Sequence, residues 1–210
     1  MAVSSLQVIQ RSALEKGRVG EAFAGQEPSY RVMARGSTKV IGRLDNRAFG
    51  DVAIAVARAP CHNVALKNEL STLRTIAADI DAPRVVPLYS YQTVPMTPPM
   101  GTGFGAAPCS SYLMKWITGF HSKTGKAAFD TALAVLPSRQ KRQAGEDLER
   151  LDHFLKTRRT IPDLQLLLEP MSGKLFIIDP GKIGLTGPNR KTHPYVERWR
   201  LTLRKGDATI

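Results

Sequence analysis

The sequence predicts an α+β fold of two lobes, in which a strand-rich first half precedes a helix-rich second half. Residues 30–58 contain three strand-like segments separated by turn residues, and residues 127–156 show apolar side chains at helical spacing. At roughly 150 residues per domain, the 210 residues are enough for one domain. We therefore expect a single domain over 1–210, with a first lobe over about 1–117 and a smaller second lobe over 118–210.

The composition excludes several classes of protein. Hydrophobic residues make up 42% of the chain, which is enough for a packed core and argues against wholesale disorder. The longest apolar stretches fall short of the ~18–20 residues that a membrane span needs, and we expect no cleaved export signal. Only two cysteines occur, and they are not in CxxC spacing, which excludes a disulfide scaffold and a cysteine-based zinc site.

The chain is strongly basic, with 30 Lys and Arg against 18 Asp and Glu and a net charge of +12. Clustered basic residues bind phosphate backbones, so a nucleic-acid-binding domain is one alternative. Here the basic residues are dispersed, and no series of aromatic side chains alternates with them as in a base-stacking platform. We therefore expect a solvated basic surface, with neither nucleic acid nor membrane as a partner.

Turn residues and apolar spacing predict the elements of the first half. They are a helix over Leu6–Lys16, strands over Tyr30–Arg35, Lys39–Leu44, Asp51–Arg58, Val85–Tyr91 and Ser111–Trp116, and a helix from Asn63 to about Asp79. Glu69 lies beside the apolar stripe of the second helix. The Pro and Gly residues of 94–108 predict a loop, because they suit neither a helix nor a central strand. GTGFG at 101–105 matches a dinucleotide fingerprint too poorly to indicate nucleotide binding.

The second half is predicted to be helical with one hairpin. Its elements are helices over Ala127–Leu136, Glu146–Lys156 and around Tyr195–Leu203, and strands over Leu164–Leu168 and Leu175–Ile178. If the hairpin turn occupies 170–173, Glu169 faces Lys174, and this fixes the register of both strands.

The same register predicts that two carboxylates meet at the open end of the hairpin. Asp163 would lie opposite residue 180 and Asp179 opposite residue 164, on strands ~4.8 Å apart, with Gln165 on the face of Asp163. Carboxylates this close require a cation, a proton or a basic side chain to offset their repulsion. Mg²⁺ is one such cation, and it takes few protein carboxylates when it arrives with phosphates. The residues alone leave two interpretations open, a magnesium site or two aspartates that only stabilise turns.

The order of these segments resembles a protein kinase. YRVMARGSTKV resembles the glycine-rich turn that covers the phosphates, DVAIAVAR the third strand with its VAIK motif, and KNELSTL the αC helix. VVPLYSY and YLMKWITGF resemble the fourth strand and the fifth strand with its hinge, and IPDLQLLL followed by GKLFIIDPG resembles the catalytic loop running into DFG. The resemblance covers residues 30–181. It implies a minimal bilobed protein-kinase-like fold, with an antiparallel-sheet N-lobe that includes the hinge and a reduced helical C-lobe.

The resemblance also implies ATP and Mg²⁺ and assigns roles in the second half. Asp163 matches the catalytic aspartate that accepts the substrate hydroxyl proton. Asp179 matches the magnesium-binding aspartate of DFG, with Pro180 in place of Phe. Gln165 is the candidate second metal ligand, although it follows Asp163 by two residues where the family has five. In the first half, the resemblance assigns nucleotide binding to the turn residues Gly36 and Ser37 and to the hinge residues Lys115 and Trp116.

The lysine of VAIK is missing, because Ala55 stands at its position. A kinase needs a cation on the nucleotide phosphates, so another residue must supply it. Lys39 follows Gly36 in GSTK, which resembles the with-no-lysine kinases whose lysine lies on the second strand. The resemblance therefore implies Lys39 as the phosphate-binding cation and Glu69 as the acid that orients it. Arg58 is the second candidate, and an exposed strand charge is the structural alternative for Lys39.

Small size, a basic surface and the lack of an APE motif after Gly181 resemble the HopBF class of bacterial type III secretion effectors. That family phosphorylates a serine of the eukaryotic heat-shock protein 90 chaperone and inactivates it. The resemblance implies a protein serine kinase that is secreted into the host cell cytoplasm, with the chaperone as its partner. A pseudokinase that binds a protein partner and a small-molecule kinase remain as alternatives, beside the nucleic-acid-binding domain.

Overall fold

The computed structural model describes residues 5–24, 26–45, 49–90, 93–97, 107–161, 163–180 and 191–205, with side chains from residue 10 onward. The chain forms two compact units. Unit 1 comprises residues 1–71 and 87–116, and unit 2 comprises residues 72–86 and 117–210. Strands and helices occur in both units, so the predicted α+β class is confirmed. Within the described ranges, no helix is both long and apolar enough to cross a bilayer.

Unit 1 contains a five-stranded antiparallel sheet with the strand order β1-β2-β3-β5-β4. Its strands are β1 Tyr30–Arg35, β2 Lys39–Leu44, β3 Val52–Ala57, β4 Val94–Met96 and β5 Cys109–Lys115. Its helices are α1 Ser5–Glu15, α2 Val19–Ala22 and the first part of α3, Asn63–Ala77. All six residues of the central strand β3 are buried, which explains why its sequence is a continuous apolar run without alternation.

The N-terminal helix is tied to the start of β3 by an ion pair. Arg11 donates from its two terminal nitrogens to the carboxylate of Asp51 at 2.6 and 2.8 Å, and also to the hydroxyl of Tyr89 at 2.9 Å. The Arg11 guanidinium lowers the pKa of Asp51 by hydrogen bonding to it, against the opposing effect of burial. This bidentate geometry holds α1 against the sheet that carries the candidate site.

The described part of unit 2 combines the end of α3 and three further helices with a three-stranded sheet in the order β6-β7-β8. The further helices are α4 Lys126–Ala134, α5 Ser138–Thr157 and α6 Pro194–Lys205, and the strands are β6 Phe120–His121, β7 Leu166–Glu169 and β8 Lys174–Ile177. Asp147 of α5 is 4% exposed and accepts hydrogen bonds from the Arg84 guanidinium, the Gln143 amide and the backbone N–H of Leu175. One buried carboxylate therefore fixes the hairpin and residue 84 to α5.

The predicted hairpin register is confirmed. Residues 166–169 pair with 177–174, so Glu169 faces Lys174, and the backbone N–H of Ile178 extends the ladder by donating to Gln165. The ladder does not reach the expected pairs at Asp163 and Asp179. Asp179 has a φ of 43°, which ends extended backbone, and Asp163 lies in a turn.

Three predicted elements differ from the structure. Residues 85–91 form no strand among the described residues; Val85 and Leu88 make only isolated bridges. Part of the predicted loop 94–108 is the edge strand β4, where Pro95 is tolerated, and residues 98–106, with GTGFG, lie outside the described residues. Helix α5 begins eight residues before Glu146, because Arg, Gln and Lys favour helix without contributing an apolar stripe.

The hairpin turn predicts a large effect of substituting Gly173. Its φ is 73°, and a Cβ there would lie 2.2 Å from the backbone oxygen of Gln140 in α5. We expect Gly173→Ala to lower the free energy of unfolding by more than about 2 kcal/mol, from left-handed strain and overlap with rigid backbone. Gly145→Ala is the matched control in α5: nothing lies within 4 Å of its added Cβ, so it should stabilise by about 0.5–1 kcal/mol. Urea unfolding measures both, and equal stabilities would contradict the close packing of the turn on α5.

Candidate active site

Unit 1 contains a buried ion pair between two of the predicted site residues. The Lys39 ammonium on β2 lies 2.5 Å from Oε1 of Glu69 on α3, and the two residues are 9% and 8% exposed. Glu69 also accepts a hydrogen bond from the hydroxyl of Tyr112 on β5, at 2.5 Å. A buried carboxylate needs such partners, because burial without them costs several kcal/mol per ion.

The strand register explains why Lys39 can stand in for the missing lysine at Ala55. Lys39 pairs with Ala57, and Ala55 pairs with both Ile41 and Tyr112. Directly opposed residues point to the same side of a sheet, and so do residues two apart on one strand. Lys39 therefore emerges on the face of Ala55, together with Tyr112, and the small alanine side chains leave room for it.

The turn between β1 and β2 is held by Arg58. Its guanidinium donates to the backbone oxygen of Gly36 at 3.0 Å, and its backbone N–H donates to that of Thr38 at 3.0 Å. Gly36 and Ser37 are exposed, and the Gly36 N–H donates to the Lys39 carbonyl. Arg58 thus contacts backbone carbonyl groups of the predicted phosphate-covering turn.

The hinge residues already use their backbone donors within unit 1. The N–H of Lys115 donates to the carbonyl of Pro87 at 2.8 Å, and the N–H of Trp116 donates to that of Asp51 at 2.6 Å. The Arg43 guanidinium stacks over the Trp116 ring, with its carbon 5.7 Å from the ring centroid. Binding of adenine at these two residues stays a prediction, and it would have to use groups other than these two N–H donors.

In unit 2, Asp163 forms an ion pair with Lys123, a residue that belongs to none of the kinase-like motifs. Nζ of Lys123 lies 2.9 and 3.1 Å from the two carboxylate oxygens of Asp163, and both side chains are about half exposed. Hydrogen bonding to Asp163 raises the pKa of Lys123, and the charge of Asp179 raises it further. Lys123 is thus a basic side chain that pairs with Asp163 and also feels the charge of Asp179.

Gln165 and Asp179 complete the predicted residues of unit 2. Gln165 is 4% exposed and donates from Nε2 to Asp163 at 3.0 Å. Asp179 is partly buried and adopts the left-handed conformation, which is uncommon for residues other than glycine. Backbone strain of this kind clusters at functional sites. Gly181, the last residue of the DPG segment, lies outside the described residues.

The donor set of these residues suits Mg²⁺. Carboxylate and amide oxygens are its preferred protein ligands, and it usually takes only one or two carboxylates, with phosphates and water supplying the rest. In the described part of the chain, no three His, Cys, Asp or Glu side chains group as a self-sufficient metal site. Binding of Mg²⁺ by Asp179 and the side-chain oxygen of Gln165 stays a prediction.

Sequence patterns did not identify Lys123 or Tyr112. Lys123 is forty positions from Asp163, and the two come together because β6 pairs with β7 through His121 and Leu167. No spacing rule signals a contact that depends on a two-residue strand. Tyr112 lies in a predicted strand, and the register between that strand and the Ala55 strand would have been enough to place it on the face of Lys39.

Comparison with known proteins finds no family model that matches the chain and no matching curated relative.

Proposed function

We propose that the chain is a minimal ATP-dependent protein serine kinase with a kinase-like fold. The observation that carries this proposal is the buried pair of Lys39 and Glu69 on the sheet face of Ala55. A buried ion pair adds little net stability over apolar side chains of similar volume, which favours a functional reason for keeping one. A lysine oriented by a glutamate is the cation that a kinase uses on ATP phosphates.

The residues of unit 2 support the same reaction. Asp163 is half exposed and therefore accessible to a substrate hydroxyl, and Gln165 and Lys123 restrict its orientation. Asp179 lies in a strained conformation, and its charge acts on the same Lys123 ammonium. Two aspartates with one shared basic neighbour fit the division of work between a hydroxyl-binding and a metal-binding carboxylate.

In the proposed reaction, the oxygen of a serine hydroxyl bonds to the γ-phosphorus of ATP while the bond from that phosphorus to the β–γ bridging oxygen breaks. Asp163 orients the hydroxyl and accepts its proton, and the products are phosphoserine and ADP. Lys39 binds phosphate oxygens, and the backbone amides of the turn at Gly36 cover them. Mg²⁺ held by Asp179 and Gln165 would neutralise phosphate charge. Positioning and charge stabilisation supply most of the rate acceleration.

The substrate and location follow from the resemblance to the HopBF class. We propose that the protein is a type III secretion effector that acts in the host cell cytoplasm, phosphorylating and inactivating the heat-shock protein 90 chaperone. The net charge of +12 is compatible with an acidic protein partner.

Radiolabelled ATP tests the activity directly. Purified protein is incubated with the purified chaperone and, separately, with a eukaryotic lysate, and wild type is compared with Asp163→Ala and Asp179→Ala. We expect label on a chaperone serine with wild type and none with either variant. Incorporation that survives both substitutions would overturn the active-site assignment, and label on another lysate protein would overturn only the choice of chaperone.

A pseudokinase is the second candidate, and the engaged N–H groups of Lys115 and Trp116 favour it. It predicts no incorporation into any lysate protein, together with retained binding of a protein partner.

The phosphate-covering role of the turn makes a separate prediction for Gly36→Ala. The nearest atom to the added Cβ is the backbone oxygen of Lys39 at 3.4 Å, so the substitution should change stability by less than about 0.5 kcal/mol. A methyl group on a backbone that lies against phosphates should raise KM for ATP about tenfold, the equivalent of roughly 1.4 kcal/mol of steric cost. The control is Gly20→Ala in α2, which has open space at its Cβ. An unchanged KM in Gly36→Ala would show that no ligand approaches this turn closely.

A further inference from the structure

A small pocket of about 130 Å³ in unit 2 has Asp163 in its wall. Its lining also includes Lys123, Lys126, Tyr195, Arg198 and Trp199. Since one water molecule takes about 30 Å³ in the liquid, the pocket has room for roughly four. Drug-sized ligands need about 300 Å³ or more, so the pocket suits a single carboxylate or phosphate group better than a nucleotide.

Two buried hydrogen-bond donors of the pocket residues have no acceptor among the residues that the structure describes. Trp199 is 1% exposed, and its ring packs against Phe129 with centroids 5.6 Å apart. Within the described part of the chain, no group accepts a hydrogen bond from the buried Nε1 of Trp199 or from the buried Nε of Arg198. A buried donor without an acceptor costs about 1–3 kcal/mol. Both donor atoms are buried, so a ligand that brings an acceptor to either of them would recover this cost on binding.

The charges around the pocket favour an anionic acceptor. Lys126 is exposed in the first turn of α4, a helix whose N-terminus has no side-chain cap and therefore favours negative charge. The Arg198 guanidinium lies over the Tyr195 ring, with its carbon 5.3 Å from the centroid, and Asp130 faces it at 3.5 Å. Asp163 is already paired with Lys123, on which the charge of Asp179 also acts. Lys126 is therefore the cation most available to a ligand.

We propose that this pocket binds an anionic side chain of the protein substrate, a carboxylate or a phosphate, and thereby selects an acidic residue near the serine that is phosphorylated. The inference rests on the proposed function, because its link to catalysis is the shared wall residue Asp163. A substrate whose hydroxyl reaches Asp163 places its neighbouring side chains within reach of the pocket. The binding of an anion can be tested without any catalytic activity.

Nuclear magnetic resonance of the two tryptophan indoles tests binding. The chain has two tryptophans, so Trp116→Phe assigns both Nε1–H signals. Titration with inorganic phosphate, against chloride at equal ionic strength, should shift the Trp199 signal saturably and leave the Trp116 signal unchanged. A Trp199 signal that does not move at millimolar phosphate, or that moves equally with chloride, would overturn the anion site.

Charge reversal at the pocket provides the matched comparison. Lys126→Glu should weaken phosphate binding about fivefold, or roughly 1 kcal/mol at a helix N-terminus. Arg139→Glu makes the same charge change at an exposed basic residue in the first turn of α5, outside the pocket lining, and should leave binding unchanged. If both variants weaken phosphate binding equally, the basic surface as a whole attracts phosphate and the pocket does not bind it specifically.

Two further arms identify the source of the anion. Phosphate should still shift the Trp199 signal when a non-hydrolysable ATP analogue and Mg²⁺ are saturating; loss of the shift would assign the pocket to nucleotide phosphate.

Serine peptides with glutamate or phosphoserine beside the target should have a higher kcat/KM than glutamine peptides, and Lys126→Glu should remove this advantage. Equal rates with an intact Trp199 shift would overturn substrate selection. A Trp199 shift with no phosphorylation of any peptide would refute the proposed kinase activity and leave the anion site in place.

Discussion

Replacing Glu69 with leucine is expected to lower the free energy of unfolding by about 3–5 kcal/mol, the usual cost of leaving one member of a buried ion pair without its partner. Lys39 is 9% exposed and would keep its ammonium group beside an apolar side chain. Urea unfolding of the single variants Glu69→Leu and Lys39→Met and of the double variant measures the coupling. The double variant should recover most of the loss, because replacing both charges by apolar groups of similar volume is often neutral.

The surface pair of Arg18 and Glu21 provides the control for this cycle. Its side chains are 50% and 61% exposed, so Glu21→Leu should change the free energy of unfolding by less than about 1 kcal/mol. If Glu69→Leu lowers the free energy of unfolding by as little as Glu21→Leu does, water screens the ion pair of Lys39 and Glu69.

The folded double variant also separates structure from catalysis. It should be stable and yet lose about 10²–10³-fold in phosphoryl transfer, the cost of removing one charge-stabilising donor. Arg58→Met should retain transfer and mainly weaken ATP binding, since Arg58 supports the Gly36 carbonyl. Activity retained in the double variant but lost in Arg58→Met would transfer the phosphate-binding role to Arg58.

Local chemistry allowed much of the fold to be predicted from the sequence. The Gly-Ser turn between two alternating segments placed β1 and β2 at their observed bounds, and the length of the turn after Glu169 determined the register of β7 and β8. Helix α5 was predicted too short because its first turns lack apolar residues and are supported by helix propensity. Residues 85–91 have strand-like composition, but strand pairing depends on neighbours that a local pattern does not contain.

In the candidate site, too, local motifs predicted some contacts, whereas contacts that depend on tertiary pairing were missed. The proximity of Lys39 and Glu69 was predicted from motif order, and strand register gives it a physical basis. The role of Lys123 was not predictable, because its contact with Asp163 depends on tertiary pairing between distant segments. The pocket lined by Trp199 was not predictable either, because only the tertiary structure brings its lining residues together from distant segments.

Asp163→Asn should abolish most phosphoryl transfer and leave the fold almost unchanged. The loss of a positioned proton acceptor should reduce kcat by about 10²–10⁴-fold. The ion pair that disappears joins two half-exposed side chains, so its removal should cost less than about 1 kcal/mol, and asparagine can still accept the hydrogen bond from Gln165. Initial rates with labelled ATP and urea unfolding give the two quantities.

Lys123→Met is the companion variant, because it breaks the same ion pair and keeps the carboxylate. If Asp163 acts only as a partner for Lys123, the two substitutions should impair the protein equally. If Asp163 takes the hydroxyl proton, Lys123→Met should retain far more activity than Asp163→Asn, because the proton acceptor is still present. A rate for Asp163→Asn within a few-fold of wild type would exclude Asp163 as the group that receives the proton.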